Sequence, residues 1–275
     1  MLINDLQTIV KKNARNYSMF IALVVIMIIF TILSNGNFIS SRNIANLINQ
    51  TGYIAVLATG MTLVIIIRHI DLSVGFLSGF LGAVAAVLLT RFHFPVWLTI
   101  ISVMIFGGIA GFLTGLPVAS LGIPAFVSSL AGWLIYRGAL MLITASTGTI
   151  IIPNETFNAI GTGYIPDLFY KIKLLPGLHK TTFLIGIITM IIMIISQILS
   201  RKRKQRYNFE VLPFSIFIFQ LILLSAIMIY ITWILSGYNG LSWTFVVMMA
   251  VVLLYDFITR KTVFGRHIYA VGGNP

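Results

Sequence analysis

Eight apolar runs, at 17–33, 51–67, 72–89, 95–113, 123–144, 181–199, 211–235 and 241–257, take up more than half of this sequence. Nothing constrains the fold more. A hydrocarbon layer about 30 Å thick is crossed by about 20 apolar residues as an α-helix, which pairs its own backbone polar groups where no water can. Charged residues make up only 9% of the chain, against about a quarter in soluble domains. The expected fold is therefore all-α, a polytopic transmembrane bundle of about eight helices with the lipid bilayer as solvent. Several runs are short and carry Gly or Pro near their ends, so some helices are expected to be short or broken.

The connections carry the charge. With the N-terminus in the cytoplasm, the inner segments hold Lys11, Lys12, Arg15, Arg68, Arg201, Lys202, Arg203, Lys204, Arg206, Arg260, Lys261 and Arg266. The outer segments hold Arg42, Arg91, Lys171, Lys173 and Lys180. This bias predicts eight crossings with both ends inside, a long external loop at 145–180 and a cytoplasmic basic loop at 200–210. Trp97, Trp233 and Trp243 then fall at the outer headgroup level, which suits an amphipathic indole. Leu2, Ile3, Leu6, Ile9 and Val10 recur at helical spacing, readable as a short helix on the inner surface or as a frayed tail. The first apolar run ends without a small-x-small site, so it is expected to stay as a helix and not be cleaved.

The net charge of +12 does not form a continuous basic face with interleaved aromatics, so nucleic acid is not an expected partner. With no cysteine, disulfides, thiolate metal sites and thiol nucleophiles are excluded. The four histidines lack paired-ligand spacing, so no metal is expected. No lysine follows a glycine, so there is no phosphate-binding loop for ATP and no cofactor is expected.

Gly107, Gly111 and Gly115 form a four-residue ladder, and Gly75, Gly79 and Ala83 form another. Such ridges let helices approach closely in lipid. Between two apolar runs, Arg68-His69-Ile70-Asp71-Leu72-Ser73-Val74-Gly75 is either a tight capped turn or a re-entrant element lining a pathway. Asp71 is expected to accept amide hydrogens at the start of the third helix and to pair with Arg68 or His69. Arg137, inside a span, must face protein or water, or snorkel outward. Ile123-Pro124-Ala125-Phe126 reads as a helix start with an early proline, or as a kink. Asp167 and Glu155 are expected to be solvated in the external loop, and Asp256 to pair at the surface with Arg260 or Lys261.

Three blocks carry a resemblance. NLINQTGYIAVLATGMTLVIIIRHIDLSVG at 46–75, IPAFVSSLAGWLIYRG at 123–138 and TRKTVFGRHIYAVGGN at 259–274 resemble, in the same order, the permease subunits of bacterial sugar ABC importers of the ribose/xylose/multiple-monosaccharide type. The central basic segment before a long span resembles the xylose branch. The chain departs from that pattern at Arg68-His69, where many relatives have glycine, and at Gly115-Leu116-Pro117, where a family asparagine is absent. It ends at Asn274-Pro275, where relatives continue into the coupling helix and further spans, so the resemblance implies the N-terminal portion of a longer permease.

The resemblance implies a multi-pass protein of the bacterial cytoplasmic membrane, without its own ATPase site, that moves a monosaccharide such as xylose. A cytoplasmic ABC ATPase, an extracytoplasmic sugar-binding protein and a second permease copy would be its partners. Asp71, Ser73, Gly75, Pro124, Phe126 and Arg137 would line the substrate pathway. Phe264, Gly265, Arg266, Gly272, Gly273 and Asn274, within the cytoplasmic segment 258–275, would form the region that couples to the ATPase. Gly75, Gly79, Gly107, Gly111 and Gly115 would pack helices. Alternatives are a same-family permease for a nucleoside or other small polar solute, and an ion-coupled secondary transporter. The second would call for carboxylates deep in the spans, which are missing.

Overall fold

The computed structural model describes residues 14–145, 148–170, 176–209 and 211–273, without the side chains of 14–18 and 20. The expected surface helix around Leu2–Val10, and Lys171 and Lys173, lie outside the described residues. Among the described residues ten α-helices follow one another: α1 Ala14–Leu33, α2 Ser41–Ile66, α3 Val74–Thr90, α4 Val96–Leu121, α5 Ala125–Thr144, α6 Glu155–Thr162, α7 Lys180–Arg206, α8 Phe214–Ser236, α9 Trp243–Lys261 and α10 Val263–Gly273. Six of them (α2, α4, α5, α7, α8 and α9) are long and apolar enough to cross a membrane, and two shorter apolar helices lie at Ile21–Leu33 and Val74–Thr90.

The burial pattern inverts that of a soluble protein. Fully buried side chains are small or hydroxylated, among them Ser73, Thr99, Ser129 and Ser236, whereas Leu142 is 80% exposed and Leu253 62%. Large apolar side chains face outward because lipid solvates them as well as a protein core would. Small residues line the interior because association in lipid depends on close packing and hydrogen bonds.

Helix boundaries differ from expectation where polar residues sit within a helix. Helix α2 begins at Ser41, ten residues before the apolar run, and takes in the polar stretch Asn43–Gln50. Helix α4 continues through Pro117 to Leu121 and stops at Gly122, whose φ is +68°. Proline removes only one donor, and the glycine supplies the left-handed turn that ends the helix. The basic residues 201–206 form the last turns of α7 and not a loop. Within 145–180 a short helix, α6, is capped by Asn154, whose side chain accepts the Phe157 amide at 2.9 Å.

The described chain forms two compact units. The first holds α1, the start of α2 up to Gln50, and Tyr164–Ser242. Its central hairpin, α7–α8, closes where Gly186 lies directly against Thr232. At one end of that hairpin, loop, helix start and turn are laced together. Thr182 Oγ1 accepts the Leu241 amide at 2.9 Å, the His179 amide donates to Ser236 O at 2.7 Å, and Ile165 donates to Leu241 O at 2.9 Å. Asn49 donates to the Tyr164 hydroxyl at 3.1 Å.

Asp167 belongs to this lacing and is not the solvated loop carboxylate expected. It accepts the amides of Lys180, Thr181 and Phe169 at 3.1, 3.2 and 3.1 Å and the Thr181 hydroxyl at 3.0 Å, which caps the start of α7. Partial burial opposes its ionisation, but these donors, the Lys180 amide first, outweigh it and hold the carboxyl at about 2.

The second unit holds Thr51–Gly163 and the chain from Trp243 onward. Helices α3, α4 and α5 pack together at glycines. A Cβ on Gly79 would meet Leu140 at 3.3 Å, and one on Gly107 would meet Leu81 at 3.2 Å. The ladder is thus used only in part, since the Cβ positions of Gly75, Gly111 and Gly115 have no neighbour within 4 Å. Helix α6 rests on α9, where Thr244 donates to Gly161 O at 2.9 Å.

The Asp167 cap contributes stability in full above the ordinary carboxyl pKa of about 3.9, and loses it as pH falls through about 2. Asp167→Ala should therefore lower the melting temperature near neutral pH. The gap from the native protein should close between about pH 4 and about pH 2, as thermal unfolding in detergent at several pH values would register.

Candidate functional site

The link between α2 and α3 is a tight hinge. Arg68 donates to Ile65 O at 2.9 Å and His69 to Val64 O at 3.0 Å, with Arg68 at φ +62°. These are the two bonds of a Schellman motif, whose left-handed position is usually glycine. Arg68 therefore stands in a conformation that glycine adopts freely and other residues adopt at some cost.

Three residues on, Asp71 Oδ1 accepts both the amide of Ser73, at 2.8 Å, and its hydroxyl, at 2.6 Å. The N-cap position of α3 belongs to Ser73, so Asp71 acts from two residues before the N-cap. Among the described residues Asp71 makes no ion pair, with Arg68 and His69 or with any other cation. Asp71 Oδ1 is instead taken up by Ser73.

Ser73 is almost completely buried because α5 passes over it. A Cβ on Gly132 would stand 3.1 Å from the Ser73 Cβ, 3.3 Å from the Tyr136 ring and 3.4 Å from Thr114 Oγ1. On the same face of α5, Ser129 donates to Ile70 O at 3.2 Å or to Phe126 O at 3.1 Å. Ser128 donates to Thr114 O at 2.6 Å, and Tyr136 donates to Ala110 O at 3.0 Å with Thr114 Oγ1 at 3.1 Å. Hinge, α4 and α5 thus meet in one polar junction in which each of these hydroxyls has a partner. In lipid an unpaired hydroxyl costs several kcal/mol, about what it would in any apolar medium.

Arg137 lies one residue beyond the junction. Its guanidinium carbon is 5.3 Å from the Trp133 ring centre and 5.7 Å from that of Phe76, and the two rings meet edge to face at 5.0 Å. The charge is exposed but rests on π-faces from α5 and α3, which eases its presence within an apolar helix.

At the far end of the same unit, α10 turns sharply back from α9. The Thr262 hydroxyl accepts the Gly265 amide at 3.2 Å, and a Cβ on Gly265 would run into the carbonyls of Ile258 and Thr259. A Cβ on Gly272 would run into the carbonyl of Ile66, the last residue of α2. Only glycine permits either approach. Phe264 and Arg266 are exposed, Gly273 has open space, and Asn274 lies outside the described residues.

Of the other expected site residues, Pro124 is the N-cap of α5 and so starts that helix without kinking it, while Phe126 is 54% exposed and a Cβ on Gly75 would meet open space. Asp256 pairs with Arg260 at 2.7 Å across an exposed turn, as expected. Sequence reasoning missed Thr114, Ser129, Gly132 and Tyr136. Their trace was present in IPAFVSSLAGWLIYRG, where Ser129, Gly132 and Tyr136 recur at helical spacing along one face of an apolar span. Among the described residues no three His, Asp or Glu side chains are grouped to hold a metal ion.

A lipid-facing exterior around an interior of hydroxyls and glycines defines a polytopic helical membrane protein. The family described as "Branched-chain amino acid transport system / permease component" matches residues 43–275, and the chain belongs to it. It is 36% identical over 263 residues to the xylose transport system permease protein of Haemophilus influenzae, covering 95% of this chain and 66% of that one. To the protein of the same description from Escherichia coli K12 it is 34% identical, covering 95% and 63%. To the ribose import permease protein of H. influenzae it is 36% identical over 149 residues, covering 53% and 46%. The chain therefore spans about two thirds of the length of its xylose-permease relatives. No solved structure matches it.

Asp71→Ala, which strips the buried Ser73 of its acceptor, should lower the melting temperature clearly, whereas Asp71→Asn, which keeps an acceptor oxygen, should be milder. Equal and negligible shifts in both melts would remove Asp71 from the hinge. Arg68→Gly should raise stability by about 1 kcal/mol by relieving the left-handed strain. Chemical denaturation of the purified protein would measure that gain.

Proposed function

We propose that this chain is the membrane-spanning permease subunit of an ATP-driven importer for a monosaccharide, xylose or a close relative. The single observation that carries the mechanism is the seat of α10. Through Gly272 it abuts the last carbonyl of α2, two residues before the Schellman turn at Arg68. Through Gly265 it is locked to the end of α9. A displacement of α10 therefore bears on the end of α2, and through the hinge on Asp71, Ser73 and the α4–α5 junction.

In this reading a separate ATPase docks on the exposed flank of α10 that carries Phe264 and Arg266, on the cytoplasmic side with both chain ends. An extracytoplasmic binding protein delivers the sugar to the opposite face, which includes 145–180. Asp71, Ser73, Gly75, Pro124, Phe126 and Arg137 border the route, and a second copy of the permease completes it. The permease supplies two conformations and no bond-breaking step. Each partner favours the conformation it binds better. The names of the xylose and ribose permease relatives support the substrate class, and the family match supports the transport role.

Proteoliposomes holding this permease should take up labelled xylose only when ATP, the ATPase and the binding protein are all present. Uptake driven by an ion gradient without them would overturn the proposal. Gly272→Ala should reduce ATP-dependent uptake by roughly tenfold, because an added methyl meets backbone that cannot yield. Gly273→Ala, one residue on in open space, should leave uptake near the native rate.

A further inference from the structure

The basic end of the α7–α8 hairpin contains a cleft of about 390 Å³ that no part of the transport reading uses. Helix α7 lines it with Gln197, Ser200, Arg201 and Lys204, at i, i+3, i+4 and i+7, and α8 contributes Phe217 and Gln220. Arg201 is held in place: its Nη1 donates to Leu212 O at 2.7 Å, and its guanidinium carbon lies 4.7 Å from the Phe217 ring centre and 5.9 Å from that of Phe214. One N–H is used there, which leaves further donors of the guanidinium fork available. Lys204, one turn along, is exposed and pairs with no carboxylate among the described residues.

The end of α7 would ordinarily repel an anion with its bare carbonyls. Here the Lys204 carbonyl is taken by the Phe209 amide at 3.0 Å and the Gln205 carbonyl by the Asn208 amide at 3.1 Å, which closes the helix end. The cleft thus offers fixed cationic and amide donors and, among its described lining residues, no acid. From its mouth toward the apolar part of the hairpin, Ile195 and Ile192 on α7 and Leu223 on α8 are 51%, 61% and 49% exposed.

We infer that this cleft binds a phosphate group, with the phosphodiester of an anionic phospholipid as its source. Arg201 and Lys204 engage the phosphate, the glutamine amides reach the headgroup hydroxyls, and the acyl chains run along the exposed isoleucines. Charge-assisted contact of this kind favours Arg for its paired donors and Lys as a point charge. The proposal rests on the α7–α8 hairpin alone and holds for whichever leaflet that end of the hairpin occupies.

The test uses the full chain in detergent, with phosphatidylglycerol, phosphatidylcholine and inorganic phosphate added separately, read by native mass spectrometry and by thermal unfolding. Phosphatidylglycerol should be retained and should raise the melting temperature, and phosphatidylcholine should do neither. Lys204→Gln, a change at an exposed side chain with no carboxylate partner among the described residues, should weaken retention by roughly tenfold, as should Arg201→Gln. Lys202→Gln removes the same charge from the same run outside the cleft and should leave retention unchanged. A response to inorganic phosphate equal to that of phosphatidylglycerol, lost in Lys204→Gln, would keep the phosphate site and overturn the lipid as its source. Equal retention of the two lipids, or equal effects of Lys202→Gln and Lys204→Gln, would overturn the site itself.

Discussion

Inside a bilayer backbone groups and hydroxyls depend on the protein for partners, because the surrounding lipid offers none; among the described buried side chains Thr99 Oγ1 and Asn49 Oδ1 are exceptions. Most of what is distinctive here follows from that requirement. Ser128, Ser129, Tyr136 and Thr114 all bond to backbone carbonyls or to one another. To bring those donors within reach, the helices approach at Gly132 and Gly79, where a side chain would hold them apart. The polar junction and the close packing are therefore two aspects of one solution. Neither a larger residue at Gly132 nor an aliphatic one at Ser129 would be compatible with it.

The link between α2 and α3 shows such a solution over a short segment. It contains no long loop: a Schellman turn ends one helix, and an aspartate-serine contact begins the next. The turn closes the end of α2, and Asp71 takes the Ser73 amide ahead of α3, so part of the polar backbone is paired over a handful of residues. Helix α10 is seated on the last turn of α2, next to this hinge.

The two ends of the α7–α8 hairpin are built differently. One is laced by Asp167, His179, Thr181 and Thr182, which join helix start, loop and turn by neutral and charged hydrogen bonds. The other carries a cluster of cations with few partners, around a guanidinium held against two phenylalanine rings. The first end is closed by its own contacts, and the second has donors to spare. Long cationic side chains at the end of a span both set its orientation and remain free to hold anionic headgroups.

Much was legible before any coordinates. Apolar run length and scarce charge determined a helical membrane protein, because only helices pair their own backbone in lipid, and that argument needs no knowledge of neighbours. The motif blocks pointed to the hinge, to Arg137 and to the glycines of α10, since residue types there are constrained by local conformation. What only the tertiary structure decided was which polar groups meet. Asp71 turned to Ser73 and not to Arg68, because the handedness of the turn between them is a property of the bonded backbone. Asp167 became a cap because a helix thirteen residues away starts beside it. Gly107 packs while Gly111 and Gly115 do not, because a ladder of small residues permits close approach without naming a partner. Periodicity reports which face of a helix is unusual, and the helix that faces it is set by packing over distances that a local pattern does not encode.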